Sequence, residues 1–334
     1  MQVQYSYSLT NLNTFRISST ANYFCELKNE NELELILSFI KNSASRFLVL
    51  GGGSNVLLPD FFDGLVVLNK LTGIQKTGED ECFVYVKAMA GESWDEFVKC
   101  SIENSWFGLE NLSLIPGTVG ASPIQNISAY GVEVKDFIES VEVFDLTASR
   151  KIVIKNEECN FGYRDSIFKS NHNFIVISVL FRLKKKPELN ISYRDINEKI
   201  KDFNPFTAAD LRNCVIDIRE NKLPDYLNIP NAGSFFHNPI VSRAEGLKLK
   251  ENYAALPVYE LNETRIKLSA GWLIENVGLK GFREGNIGVY SNHALVLVNH
   301  GMATQKEVLN FAFLIQKKVF DKFGVSLHIE PIVV

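Results

Sequence analysis

Apolar positions recur at helical spacing in some stretches and in short strand-like runs in others. Asn29 and Glu32 suit a helix-capping pair, and Leu33, Ile36, Leu37 and Ile40 then mark one helix face. A short apolar run, Phe47-Leu48-Val49-Leu50, ends in Gly51-Gly52-Gly53-Ser54-Asn55. With a second run over 65–68 it predicts a βαβ-like opening and a small parallel sheet. A strand over 83–86 leads to Gly91, after which Trp94, Phe97, Val98 and Ile102 predict another amphipathic helix. Residues 108–131 break the pattern. They are rich in Gly, Ser, Pro and Asn and too long for an ordinary connection, so a functional segment is expected there. Strand signals over 140–146, 151–155 and 174–183 predict an antiparallel meander, and residues 184–187 are the candidate boundary. Beyond it, Thr207 can cap a helix carrying Leu211, Val215 and Ile218, which Pro224 ends. Further helices are expected over 268–277 and 304–323, the latter opened by Thr304 with Glu307 and closed at Gly324. Strands over 294–298 and 326–333 complete an α+β second half.

A chain of 334 residues predicts two or three compact units, because single cores stop growing at around 250–300 residues. No stretch approaches the roughly 18 apolar residues of a membrane span, and residues 1–10 lack the basic-then-apolar order of a secretory leader. A net charge of −4 with scattered basic residues argues against a nucleic-acid surface. The five cysteines form no CxxC pair and are expected mostly as buried small hydrophobes of a reducing compartment. The histidines form neither HxH nor HExxH, so no metal site is expected. A cytoplasmic, metal-free protein is the resulting expectation.

Four segments carry candidate chemistry. Gly51-Gly52-Gly53-Ser54-Asn55 follows a strand, so its amides can cradle an anion or simply make a tight turn. It is neither GxGxxG nor a Walker loop. In the stretch from Pro116 and Gly117 through Gly120, Ser122, Pro123, Gln125 and Asn126, small residues let main chain approach a ligand while neutral side chains offer hydrogen bonds. That suits a large, polar, hydrogen-bonding cofactor with a diphosphate; a surface loop is the alternative. Phe161-Gly162-Tyr163-Arg164-Asp165-Ser166 places an arginine able to hold a carboxylate bidentately, or merely to pair with Asp165. Asn231-Ala232-Gly233-Ser234-Phe235-Phe236 reads as a turn delivering one hydroxyl, a role serines mostly play for the backbone. Glu330 lies in an apolar C-terminal strand, facing solvent by alternation or held at a site.

These segments, with Gly108-Leu109-Glu110-Asn111-Leu112, residues 270–273 and Glu330-Pro331, occur in one order that resembles the UDP-N-acetylenolpyruvoylglucosamine reductase family, in its longer subtype. The resemblance runs from about Asn13 to Glu330. It implies a p-cresol-methylhydroxylase-type FAD-binding domain of two subdomains over 13–184, split near 70, and an α+β substrate-binding domain over 206–334. The last strand, 325–334, is a candidate to pack on the FAD domain. It further implies non-covalent FAD, NADPH as reductant and a UDP-sugar substrate in peptidoglycan precursor synthesis, with neither nucleic acid nor membrane as partner and a monomeric state. Gly51, Gly52, Gly53, Ser54, Asn55, Pro116, Gly117, Gly120, Ser122, Pro123, Gln125, Asn126 and Gly131 fall on the cofactor, and Arg219 on the flavin or its diphosphate. Gly52 stands where some relatives carry an acid. Arg164, Glu330 and Ser234 match the carboxylate-stabilising arginine, the assisting acid and the proton donor. Tyr193, Lys222, Asn238 and Tyr259 match positions that grip the UDP-sugar, Tyr259 as a lid loop, and His293 replaces a frequent glutamine. A flavin oxidase of the same domain type and a non-catalytic nucleotide-sugar binder are the competing readings.

Overall fold

A computed structural model describes residues 1–44, 46–200 and 206–334. The chain opens with strands Gln4–Ser8 (β1) and Thr20–Leu27 (β2) and helix Leu33–Ser43 (α1). Asn29 and Glu32 form the expected reciprocal cap ahead of α1, which buries Leu33, Ile36 and Leu37. Strands Phe47–Leu50 (β3), Val56–Leu57 (β4), Phe61–Asn69 (β5), Ile74–Glu79 (β6) and Phe83–Met89 (β7) follow, then helix Trp94–Glu103 (α2). Among them β3 and β5 form the expected parallel pair, within a sheet of order β1-β2-β5-β3. Residues 108–131 hold short 3-10 turns and strand Ser128–Ala129 (β8), which pairs with Val132–Glu133 (β9). Next come strands Ile138–Asp145 (β10) and Arg150–Lys155 (β11), helix Ile167–Ser170 (α3), strand Phe174–Lys184 (β12) and helices Arg194–Lys199 (α4) and Ala208–Lys222 (α5).

The remainder runs through strands Asn231–Ser234 (β13) and Ile240–Ser242 (β14), helix Arg243–Asn252 (α6), and strands Val258–Glu260 (β15) and Arg265–Leu268 (β16). It continues with helix Ala270–Asn276 (α7), strands Arg283–Glu284 (β17), Ile287–Val289 (β18) and Val296–Asn299 (β19), helix Gln305–Phe323 (α8), and strand Ile332–Val333 (β20).

These elements divide into two compact units. The first comprises residues 1–7, 21–52 and 63–221; the second comprises 8–20, 53–62 and 222–334. In the first unit a five-stranded sheet of order β11-β10-β12-β7-β6 carries the predicted antiparallel meander. Opposite the neighbours Glu142 and Val143 of β10 stand Ser178 and Val176, so Ile177 is an extra residue in β12. This bulge reverses which positions face which side. Val176, Val179, Phe181 and Leu183 join the core built on Trp94, Phe97 and Val98 of α2, whereas Ile175 and Ile177 join α1 and β5. Two cores of the first unit thus share one sheet, and a third, of Ile196, Leu211, Val215 and Ile218, is built on α4 and α5.

The second unit packs α7 and α8 on sheet β13-β19-β18-β17, together with Phe15, Ile17, Leu57, Phe235 and Phe236. Thr304 and Glu307 cap α8 reciprocally, and Gly324 ends it with φ +67°. Two expected elements differ. The helix expected over 268–277 starts at Ala270, because Leu268 pairs with Val258 in the sheet and Ser269 caps α7. The strand expected over 326–333 is not continuous: Ile329 makes an isolated bridge to Phe236, and only β20 pairs further, parallel to β4. Pro331 lies between the two, and a residue without an N–H cannot extend a ladder.

Among the described residues no helix is long and apolar enough to cross a membrane. Cys25 and Cys159 are buried as expected, with burial first pushing both thiols up to about 12, whereas Cys82 is exposed. Replacing Thr304 by Ala removes the α8 cap and should cost about 1 kcal/mol of stability, read as a lower urea midpoint at unchanged slope.

Candidate active site

In the first unit, Gly51 and Gly52 leave β3 directly against Gly117 and Thr118. A Cβ on Gly52 would stand 2.8 Å from Gly117 Cα, and one on Gly51 would collide with Thr118 Oγ1. The second glycine stretch is in turn held to the corner between β7 and α2. Trp94 N–H donates to Gly117 O (3.1 Å), Val119 N–H to Glu92 O (2.9 Å) and Gly120 N–H to Ala90 O (2.9 Å). The buried Trp94 indole donates to Leu112 O at 2.9 Å. A Cβ on Gly120 would lie 2.5 Å from that of Ala90. Main chain from two distant stretches is therefore brought together at glycines, with the Thr118 side chain against Gly51. Gly53 belongs to the second unit. Its φ of +61° and the collision any Cβ would make with Leu12 O exclude other residues there.

Of the neutral side chains expected on the cofactor, Ser122 and Asn126 are committed within the protein. Ser122 Oγ donates to Val119 O (2.7 Å); Asn126 Nδ2 donates to Glu133 and to Gly162 O, and its Oδ1 accepts from Lys135 N–H. Pro123 is buried beside them, while Ser54, Asn55, Pro116 and Gln125 are half-buried. Gly131 lies exposed in the turn between β8 and β9. Arg164 has φ +55°, unusual for a residue with a side chain, and its Nη1 donates to Ser128 Oγ at 2.8 Å. Lys169 Nζ donates to Arg164 O at 2.9 Å, so the backbone of this turn is fixed from both sides.

A cluster that sequence reasoning missed lies between α2 and α5. Asp95 takes a bidentate pair from Arg212, 2.7 and 2.8 Å, and accepts from Leu114 N–H. Burial raises the Asp95 carboxyl, but these bonds and the charges of Arg212 and Arg219 outweigh it and hold it below its ordinary value. Arg219, two turns after Arg212 on α5, is lowered by burial, against which Tyr130 and Asp95 favour its charged form. Its buried Nε has no hydrogen-bond partner among the described residues. Tyr130 meets the exposed Tyr193 edge-on, ring centroids 5.1 Å apart.

In the second unit, Ser234 ends β13 opposite Val296. The expected turn is instead a bulged strand end, with Gly233 at φ +68° taking up the extra residue. Phe235 N–H donates to Leu295 O, and Glu330 N–H donates to Phe235 O at 3.0 Å. Glu330 is thereby set beside the residue that follows Ser234, and it is buried rather than facing solvent. His237 Nδ1 stands 3.5 Å from its carboxylate. Asn238 Oδ1 accepts from Ala270 N–H at the start of α7. His293 is lowered by burial and then by the charges of Lys222 and Lys280, with Glu275 opposing. Its Nδ1 accepts from Leu295 N–H (3.3 Å), which assigns the proton of the neutral ring to Nε2. His293 so offers one N–H donor, as a glutamine amide would. Tyr259 lies not in a loop but in the edge strand β15, opposite Lys267, whose ammonium is 5.9 Å from its ring. Three-residue strands leave too short a pattern for periodicity to reveal.

Comparison with known proteins decides the family. The FAD binding domain family matches residues 21–153, and the UDP-N-acetylenolpyruvoylglucosamine reductase C-terminal domain family matches residues 224–334. The reductase of Flavobacterium johnsoniae is 43% identical, over 99% of each chain. The chain belongs to the UDP-N-acetylenolpyruvoylglucosamine reductase family. Another reductase, from Bdellovibrio bacteriovorus, is 44% identical over 99% of each chain. The crystal structure of the Thermus caldophilus family member aligns over 100% of this chain and 99% of that one, with a TM-score of 0.68 at 25% identity. The chain is thus an enolpyruvylglucosamine reductase-type flavin oxidoreductase of the expected α+β class, with a FAD-binding domain.

His293 also predicts a pH effect. With its folded value below the ordinary 6.5, the unfolded chain binds this proton first as pH falls, so stability drops below that pH until the folded ring titrates. His293→Gln should flatten this slope in urea titrations at stepped pH.

Proposed function

We propose that the chain reduces the enolpyruvyl ether of UDP-N-acetylglucosamine to the lactyl ether of UDP-N-acetylmuramate, with NADPH as reductant, in peptidoglycan precursor synthesis. Non-covalently bound FAD supplies the hydride. The residues present suit that group. Gly51, Gly52 and Gly117 carry no side chain to screen their main chain, and Arg219 is a cation with a buried, spare Nε–H. Hydride arriving at the terminal vinyl carbon leaves a carbanion beside the substrate carboxylate, and this charge needs donors where it develops. Arg164, oriented by Ser128, serves the carboxylate. Glu330 assists as an acid holding or sharing a proton, since a bare carboxylate would repel the charge. Ser234 delivers the proton to the alpha carbon. Lys222, Tyr193, Asn238 and Tyr259 grip the UDP-sugar, Lys222 and Tyr259 at its diphosphate, and the amide of Asn238 is the part left to donate, its oxygen being used by α7.

One observation supports this assignment most: the Glu330 to Phe235 bond, which ties the buried acid to the residue next to Ser234. The native protein should show a flavin absorption spectrum, and boiling should release the yellow chromophore into the supernatant. A colourless native protein, or colour retained by the pellet, contradicts the cofactor assignment. Ser234→Ala should still bleach its flavin with NADPH at nearly the parent rate, whereas reoxidation by the enolpyruvyl substrate should slow about 10²–10⁴-fold in stopped-flow traces. Equal reoxidation rates in variant and parent would return Ser234 to a purely structural role.

A further inference from the structure

The cluster on α5 holds two guanidiniums and one carboxylate. Arg212 and Asp95 are largely buried, with side-chain exposures of 12% and 23%, and their pair is bidentate, so both oxygens of Asp95 are occupied. One of these oxygens also takes the Leu114 amide. Arg219 is near enough for its charge to act on Asp95, yet it is left with a buried Nε that no described residue satisfies. Of the two arginines whose charges act on it, one has taken this carboxylate whole. The result is a buried cation excess of one charge, a state that costs free energy unless an anion arrives.

We propose that Arg212 is a positioning residue: by monopolising Asp95 it keeps Arg219 available for an anionic group of the dinucleotide. This rests on the reading of the first unit as the holder of FAD, with Arg219 on it. Without Arg212, Asp95 turns to Arg219, forms the buried pair there and competes with the ligand. The protein then keeps a satisfied ion pair, and the ligand loses its partner.

The test is FAD affinity of flavin-stripped protein, measured by quenching of flavin fluorescence, alongside the urea midpoint of each stripped variant. Parent protein that fails to rebind FAD rejects the cofactor reading itself, before the variants are compared. Given parent binding, Arg212→Gln should weaken FAD about 10- to 100-fold, the worth of a charge-assisted hydrogen bond, while the urea midpoint stays close to the parent's. Adding Asp95→Asn to Arg212→Gln removes the competitor and should restore affinity to near the parent's. Asp95→Asn alone keeps an oxygen for the Leu114 amide and should bind FAD at least as well as Arg212→Gln with Asp95→Asn. Parent-like affinity in Arg212→Gln overturns the proposal. So does a double variant no better than Arg212→Gln, because a merely structural pair offers no rescue. If Arg212→Gln proves unfolded, Asp95→Asn still decides: loss of FAD in a folded Asp95→Asn protein overturns it.

Discussion

Two stretches of main chain meet at Gly52 and Gly117 at a separation that no side chain tolerates. Much else in the first unit can be read as holding that approach in place. The parallel pairing of β3 with β5 aims the first stretch, and the bonds from Val119 and Gly120 to Glu92 and Ala90 aim the second. Trp94 secures the entry to the second stretch, its amide bonding Gly117 O and its indole bonding Leu112 O just ahead of it. A buried aromatic with its N–H satisfied is a rigid post, and the α2 core of Phe97, Val98 and Phe181 surrounds it. Ser122 and Asn126 spend their polar atoms on the same purpose, fixing the shape of that stretch rather than facing outward from it.

What the sequence made legible was local chemistry. The caps before α1 and α8 needed only residues three positions apart; α1 and α2 announced themselves through one apolar face, and α8 through its cap and Gly324. Helix α6 escaped notice although Ser242 and Glu245 cap it reciprocally, because its only buried residue is Gly246 and no apolar stripe marks it. The order of short motifs identified the family, and with it the residues worth following. The partnership of Asp95 with Arg212 had no such signal: the two are 117 positions apart, and nothing in either neighbourhood names the other. The same limit applied to His237, whose relation to Glu330 depends on a bridge between Phe236 and Ile329.

Where local reading erred, backbone hydrogen bonding was the reason. A run of apolar residues from Leu327 onward resembles a strand until Pro331 removes a donor, after which only two residues resume pairing. That interruption sets Glu330 at the end of one bridge and ahead of another, a place where its side chain need not follow strict alternation. The Asn231 to Phe236 stretch resembles a turn because Gly233 is there, yet the glycine accommodates a bulge within a ladder.

The composition of the second unit has a consequence for how the molecule is made. It draws on residues 8–20 and 53–62 as well as 222–334, and β4 finds its partner only in β20. During synthesis the early pieces leave the ribosome long before the strand they pair with exists. Asn299, whose amide bonds Phe15 O, reaches back across 284 positions. The first unit has all its segments once residue 221 has emerged and can assemble while translation continues. The second must wait, carrying Phe15, Ile17 and Leu57 without their final neighbours. Loop closure over such separations is slow, and the exposed interval invites chaperone binding or self-association. The order of birth of the two units is therefore written into the topology.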